Sequence, residues 1–141
     1  MDEVHYSSGK DDWETPQSLY DKLDKEFNFD LDVCANEYNA KHINYYSEQD
    51  NGLEKEWRGN CWCNPPYSQS KFWIEKAYKS ALKGDATVVM LIPARTDTKA
   101  FHRYVYKKPN IEVRFVKGRI KFVGAKHCAP FPSMIVVFKC F

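Results

Sequence analysis

No apolar run in the 141-residue sequence approaches bilayer length, so no membrane-spanning helix is expected. The start, with Asp2 and Glu3, lacks the positive charge of a secretory leader. Cys61 and Cys63 have no second Cys pair to complete a zinc site and no His at finger spacing, so no metal is expected. The five cysteines are an odd set and, without secretory context, read as reduced thiols in a cytoplasm. Repeats, low-complexity segments and internal linkers are also missing. One domain over residues 1–141, with a modest core, is therefore expected.

Acidic residues almost vanish after position 94. Residues 1–94 carry 10 Lys and Arg against 17 Asp and Glu, a net −7. Residues 95–141 carry 11 against 2, a net +9. A basic third on an otherwise acidic chain suits a polyanion partner such as nucleic acid, or else is a solvated basic face. A hydrophobic fraction of 43% and an aromatic fraction of 16% mark a folded chain.

Residues 1–12 are polar and read as a draped segment. Thr15-Pro16 opens a helix, with Thr15 as cap and Pro16 at the first helical position; Leu19, Leu23 and Phe27 form its buried stripe. Residues 29–35 alternate as a strand that stops at Asn36, and 43–46 is a weaker strand candidate. Residues 53–57 suit one helical turn, and Gly59-Asn60 a turn before a strand ending at Asn64. A helix is predicted from about Ser70 to Lys83, with Phe72, Trp73, Ile74, Ala77, Tyr78, Ala81 and Leu82 apolar and Gly84 as its stop. Residues 87–92 form a continuous apolar run ended by Pro93, the mark of a central parallel strand. A helix capped by Asp97 or Thr98 runs to about Tyr106. Strands follow at 111–116, 120–123 and 133–140. This order predicts an α/β sheet with an antiparallel C-terminal end.

Asn64-Pro65-Pro66-Tyr67 follows the apolar run Cys61-Trp62-Cys63. Two prolines can continue neither a helix nor a sheet ladder, so the chain leaves its strand in an extended shape. That puts an amide, bare carbonyls and a ring at a strand's C-terminal end, where open α/β sheets bind ligands. The Asn64 oxygen and the Pro65 carbonyl can accept both hydrogens of an –NH2 group, and Tyr67 offers a stacking face to the base that carries it. A strand-ending turn is the plain alternative.

The four residues resemble the NPPY motif of methyltransferases that use S-adenosylmethionine to methylate an exocyclic adenine nitrogen or a glutamine amide. With Asp12 to Pro16, Asp30 to Ala35, Ile92 to Thr98 and Gly118 to Phe122, the chain resembles the phage-type, Dam-like DNA adenine methyltransferases over nearly its whole length. The resemblance implies a reduced Rossmann-like class I methyltransferase fold, S-adenosylmethionine as donor, DNA as partner, and the cytoplasm of a bacterial host as location. It assigns catalysis to Asn64, Pro65, Pro66 and Tyr67. Trp13, Thr15 and Pro16 match the segment closing over the donor's methionine end, with Thr15 an ordinary helix cap as the alternative. Asp32 matches the acid of the donor-binding strand, facing its ammonium, with a turn aspartate as the alternative. Cys34 stands in the turn that follows. Arg95, Arg119 and Lys121 are placed near phosphates, or else are solvated surface charges.

The chain departs from larger methyltransferases. No glycine lies near Asp32, where Cys34-Ala35-Asn36-Glu37 replaces the usual turn, and only 31 residues separate Asp32 from Asn64. That is too few for two βα units of roughly thirty residues each. The donor's ribose contact is left to Asp50 or Glu37. No segment is long enough for a separate target-recognition domain. RNA adenine or a protein glutamine as acceptor, or a non-catalytic nucleic-acid module with a decayed donor pocket, are the alternatives. The basic third argues against protein. The oligomeric state is not legible.

Overall fold

The computed structural model describes residues 13–141. The draped segment expected over 1–12, Asp12 included, lies outside the described residues. Helix α1 spans Gln17–Phe27, followed by strand β1 at Leu31–Asp32 and a short 3-10 turn at Gly52–Glu54. Strand β2 (Gly59–Cys63) leads through a 3-10 turn at Tyr67–Gln69 into helix α2 (Ser70–Leu82). Strand β3 (Ala86–Pro93), helix α3 (Lys99–Tyr104), and strands β4 (Ile111–Phe115) and β5 (Ser133–Phe138) complete the chain.

The five strands form one open sheet in the order β1-β2-β3-β5-β4. β1, β2 and β3 run parallel, and β5 is antiparallel to both β3 and β4. β3 is central and almost wholly buried, as a continuous apolar run requires. Alternate residues of β2, β3 and β5 feed two cores on opposite faces. Cys61, Cys63, Val88, Met90 and Val136 meet α2 and α3. Trp62, Val89, Leu91, Ile135 and Val137 meet α1 and the segment after β4. α2 buries Trp73, Ile74, Ala77, Ser80 and Ala81, while Phe72 and Leu82 face outward. No helix among the described residues is long and apolar enough to cross a membrane.

Several elements differ from the sequence reading. Of the strand expected at 29–35, only two residues pair with β2; at Cys34 the N–H turns back onto Asp32 Oδ1 at 3.2 Å. The 43–46 candidate reduces to a single bridge between Tyr45 and Asp32. Gly59-Asn60 is the start of β2 rather than a turn. The 120–123 segment is no strand. Ile120 and Phe122 are buried while Lys121 and Val123 are exposed, which mimics a strand pattern. Its bonds instead run from Ala129 N–H to Ile120 O and from Val123 N–H to Glu14 O. Thr98 does cap α3, its hydroxyl accepting the Phe101 N–H at 3.2 Å. Thr15 does not cap α1. Pro16 takes the cap position, and the Thr15 hydroxyl is turned to Asn64.

Candidate active site

Asn64 leaves the end of β2, between β1 and β3, where the parallel strands expose their C-terminal ends. Its amide nitrogen donates to Trp13 O at 2.5 Å and to Thr15 Oγ1 at 3.0 Å. Its Oδ1 is buried and, among the described residues, has no hydrogen-bond partner. An orphaned buried acceptor is costly, so such an atom points to a missing donor. Both Nδ2 hydrogens are spoken for, which fixes the amide with its oxygen free. Pro65 is buried, and Pro66 sits at φ −59, ψ 123, the extended shape that two prolines impose.

Tyr67 follows at the head of a 3-10 turn. Its ring lies 6.4 Å from that of Trp13 and 10° from parallel. Phe131 stands edge-on to both, at 5.2 Å from Trp13 and 5.7 Å from Tyr67. Phe122 stands beside both as well, at 5.4 and 6.4 Å. Burial pushes the Tyr67 phenol far above its ordinary range, so it stays neutral. Burial likewise pushes the Cys61 thiol to about 12 and the Cys63 thiol well above its usual value. Neither supplies a thiolate nucleophile.

A cavity of about 380 Å³ opens beside Asn64 and Pro66. Trp13, Thr15, Asp32 and Cys34 line it. Asp32 is 2% exposed, and its carboxylate accepts the N–H groups of Cys34 and Lys41 at 3.2 and 3.0 Å. It therefore holds a turn and faces a cavity at once. Burial raises its pKa from 3.8 to about 7, against the lowering pull of those two N–H bonds. A buried carboxylate of this kind suits a cationic partner, which would restore its charge. The Thr15 hydroxyl accepts from Asn64, which leaves its own hydrogen to give.

Pro16 and Asp50 are not brought to the cavity wall. Asp50 is exposed and bends back to accept the Ser47 N–H and hydroxyl at 2.8 and 3.0 Å. Those bonds hold its carboxyl below the ordinary range. Glu37 does not line the cavity either; Glu48 does. Lys41 is also at the wall. Its side chain is only 6% exposed, and its ammonium reaches Gln17 Oε1 at 3.0 Å and Glu14 at 3.7 Å. Among the described residues, no three His, Cys, Asp or Glu side chains gather as for a metal ion.

Gly52 was invisible as a site residue, yet it shapes the cavity. A Cβ there would lie 2.3 Å from Val33 O and 3.3 Å from the Trp73 ring. This close approach lets the 52–54 turn sit against the end of β1. The nearby run Asn51-Gly52-Leu53 is the only sequence signal for it. Gly52→Ala is expected to lower stability by about 1–3 kcal/mol, the scale of an overpacked core. It should also weaken any ligand of the cavity. An unchanged melting temperature would show that the turn relaxes freely.

Arg95 lies just past β3, exposed, with its N–H on Pro93 O. Arg119 and Lys121 are exposed on the 116–132 connection between β4 and β5. Because β4 ends where β3 ends, this connection leaves the sheet on the same side as Asn64. Arg119 also donates to Ala129 O at 3.4 Å. All three stay outside the cavity, at the rim of that side. Lys117, Lys126 and His127 are exposed on the same connection.

A family model described as DNA N-6-adenine-methyltransferase (Dam) matches residues 4–141. The chain is 37% identical over 140 residues to a protein of Haemophilus phage HP1 (strain HP1c1) named DNA N-6-adenine-methyltransferase. That match covers 94% of this chain and 80% of the relative. A protein of the same name from Escherichia phage T1 is 33% identical over 95 residues, 65% of this chain and 40% of its own length.

Proposed function

The chain belongs to the DNA N-6-adenine-methyltransferase (Dam) family, and from that premise we propose that it transfers a methyl group from S-adenosylmethionine to the exocyclic amine of adenine in DNA. The observation that carries the reading at residue level is the buried, unpartnered Oδ1 of Asn64 beside a ring and a cavity. We take the fold of the described residues as a reduced Rossmann-like methyltransferase domain.

The donor, when bound, supplies an electrophilic methyl on a sulfonium. The cavity suits its methionine end. Asp32 would take the ammonium, and the Thr15 hydroxyl the carboxylate, with Lys41 close by to favour the same negative group. Glu48, at the cavity wall, would be the acid for the ribose in place of Asp50. Adenine's amine is a poor nucleophile because its lone pair is delocalised into the ring. Asn64 Oδ1 and the Pro65 carbonyl would accept its two hydrogens, localise the lone pair and stabilise the charge that develops. Preorganised contacts of this kind are worth about 3–4 kcal/mol each. The base must leave the duplex to reach them. Tyr67 would then stack on it. Incubating the protein with unmethylated DNA and labelled donor, and identifying the modified base, tests the reading. Label in N6-methyladenine supports it. Absence of label, or label elsewhere, removes it.

The basic connection at 116–132 would face the duplex, with Arg95 beside it. DNA affinity should then fall steeply with salt, because each neutralised phosphate releases counterions. In Arg119→Ala/Lys121→Ala, the slope of log affinity against log salt is expected to shrink by about one to two units. Donor affinity, titrated separately, should hold, since neither residue lines the cavity. An unchanged slope would mean that these two residues leave phosphate alone.

A further inference from the structure

Strand β4 closes one side of the sheet, and among the described residues no strand lies beyond it. Its neighbour β5 takes up the main-chain groups of alternate residues. Asn110 O accepts the Lys139 N–H at 2.9 Å, and the Val116 N–H reaches Ser133 O at 3.0 Å. Antiparallel alternation therefore turns the main-chain groups of Glu112 and Arg114 toward β5, and those of Ile111, Val113 and Phe115 toward the open edge. The Ile111 N–H folds back onto Lys108 O at 3.2 Å, as that geometry requires. Folded chains blunt such edges with very short strands, proline, lysine or a bulge. The opposite edge, β1, is blunted by its length of two residues. β4 has five residues in unbroken register with β5, with neither proline nor lysine among them. It ends in Phe115, which is 68% exposed.

We propose that β4 is a self-pairing edge: two copies of the chain join antiparallel through Ile111–Phe115, about a two-fold axis at Val113. The sequence Ile111-Glu112-Val113-Arg114-Phe115 is complementary to its own reverse. About that axis, Val113 and its counterpart exchange both main-chain bonds, and the Phe115 N–H donates to Ile111 O of the second copy. The Phe115 ring then lies against Ile111 of the second copy, an apolar cross-strand pair. Glu112 stands opposite Arg114 of the second copy, and Arg114 opposite its Glu112. These are the non-hydrogen-bonded pairs, where side chains come closest, so opposite charges there favour this register. Centring on Glu112 or Arg114 instead would set like charges together. Arg114 is ordered beforehand, held by Glu26 at 2.7 and 2.6 Å and by Glu112 at 2.8 Å. Such an interface is isologous and closes on two copies. Reversing β4 reverses the whole sheet, so the Asn64 ends of the two copies face opposite ways. On the reading of the site as a DNA methyltransferase's, each copy then meets its own duplex.

Sedimentation equilibrium of the full chain tests the pairing. The mass should rise from the 16.6 kDa of one chain to twice that value. The expected dissociation constant is on the order of 10 µM, as suits a small interface. Phe115→Pro removes an N–H that points to the edge and none that serves β5, so association should weaken about tenfold or more while the melting temperature holds. Should Phe115→Pro not fold, Phe115→Lys takes its place. Glu112→Arg and Arg114→Glu, each alone, set like charges opposite one another and should stay monomeric. Mixed, they set opposite charges together and should form a dimer of one copy of each. The proposal is overturned if the parent remains a single chain up to about 200 µM, twentyfold above the expected constant. It is overturned equally if the Phe115 variant associates as the parent does, or if the two charge variants, both folded, fail to combine. A parent that dimerises only once residues 1–12 are removed would give the edge to that segment instead. With a short duplex added, one duplex per chain is expected, and one duplex per two chains would overturn the opposed arrangement. A parent that binds no DNA counts against the proposed function and leaves the pairing to be decided by the protein alone.

Discussion

Asn64→Ala is expected to abolish methyl transfer, lowering kcat by at least about 10²–10³-fold, while donor affinity stays within a few-fold. The scale is that of a lost preorganised hydrogen-bonding group. The split follows from the side chain's two ends. Oδ1 faces no donor among the described residues, whereas Nδ2 ties down Trp13 and Thr15. Truncation also removes those two ties, each worth about 1 kcal/mol, so the melting temperature should drop. Single-turnover transfer and donor calorimetry separate the effects. If donor affinity fell as far as kcat, Asn64 would be a fastener of the 13–15 segment and no more.

The second large effect concerns Asp32. Burial holds its carboxyl at about 7, well above the ordinary 3.8. Below about pH 4 it is protonated in folded and unfolded chains alike, and the group adds no pH dependence. Between about 4 and 7 the unfolded chain has lost this proton and the folded chain keeps it, so stability falls as pH rises. Above about 7 both are ionised and the slope ends. A bound ammonium reverses the preference by favouring the charged carboxylate. Donor affinity should therefore climb roughly tenfold per pH unit up to about 7 and level off above it, with a proton released on binding at lower pH. Asp32→Asn cannot ionise, and should bind donor weakly and without this pH dependence. Calorimetry at several pH values, in buffers of different ionisation heat, reads both quantities. Flat affinity in the parent, or normal donor binding by Asp32→Asn, would remove Asp32 from the donor site.

Elements with local signatures were legible in the sequence. The buried run of β3, the amphipathic α2 with Gly84 as its stop, the Thr98 cap and the Asn64 strand end all appear where their residues place them. So does the antiparallel end of a parallel sheet. The misreadings share a cause. Thr15 has the composition of a cap, but its partner is 49 positions away. Residues 120–123 alternate like a strand, but their polar groups bond to Glu14 and Ala129 instead of a neighbouring strand. Asp50 sits in a promising run, but a turn of its own takes up its carboxylate. For Thr15 and residues 120–123 a distant hydrogen bond decided, of which local pattern carries no trace; for Asp50 a bond to Ser47, three residues back, competes for the carboxylate. The ring cluster around Tyr67 was illegible because its four rings come from three separate stretches of chain.

The β4–β5 connection is anchored below its tip. Phe115 pairs with Met134, Val116 N–H reaches Ser133 O at 3.0 Å, and Ala129 N–H closes onto Ile120 O at 2.8 Å. Beyond those ties, residues 123–128 are mostly exposed. Lengthening a flexible loop costs little, about 0.6 kcal/mol for each doubling. Insertions at this tip would leave the strand registers and the ring cluster around Tyr67 untouched. The fold thus separates a tightly packed frame around Asn64 from an outer finger whose length can change at little cost to the machinery beneath.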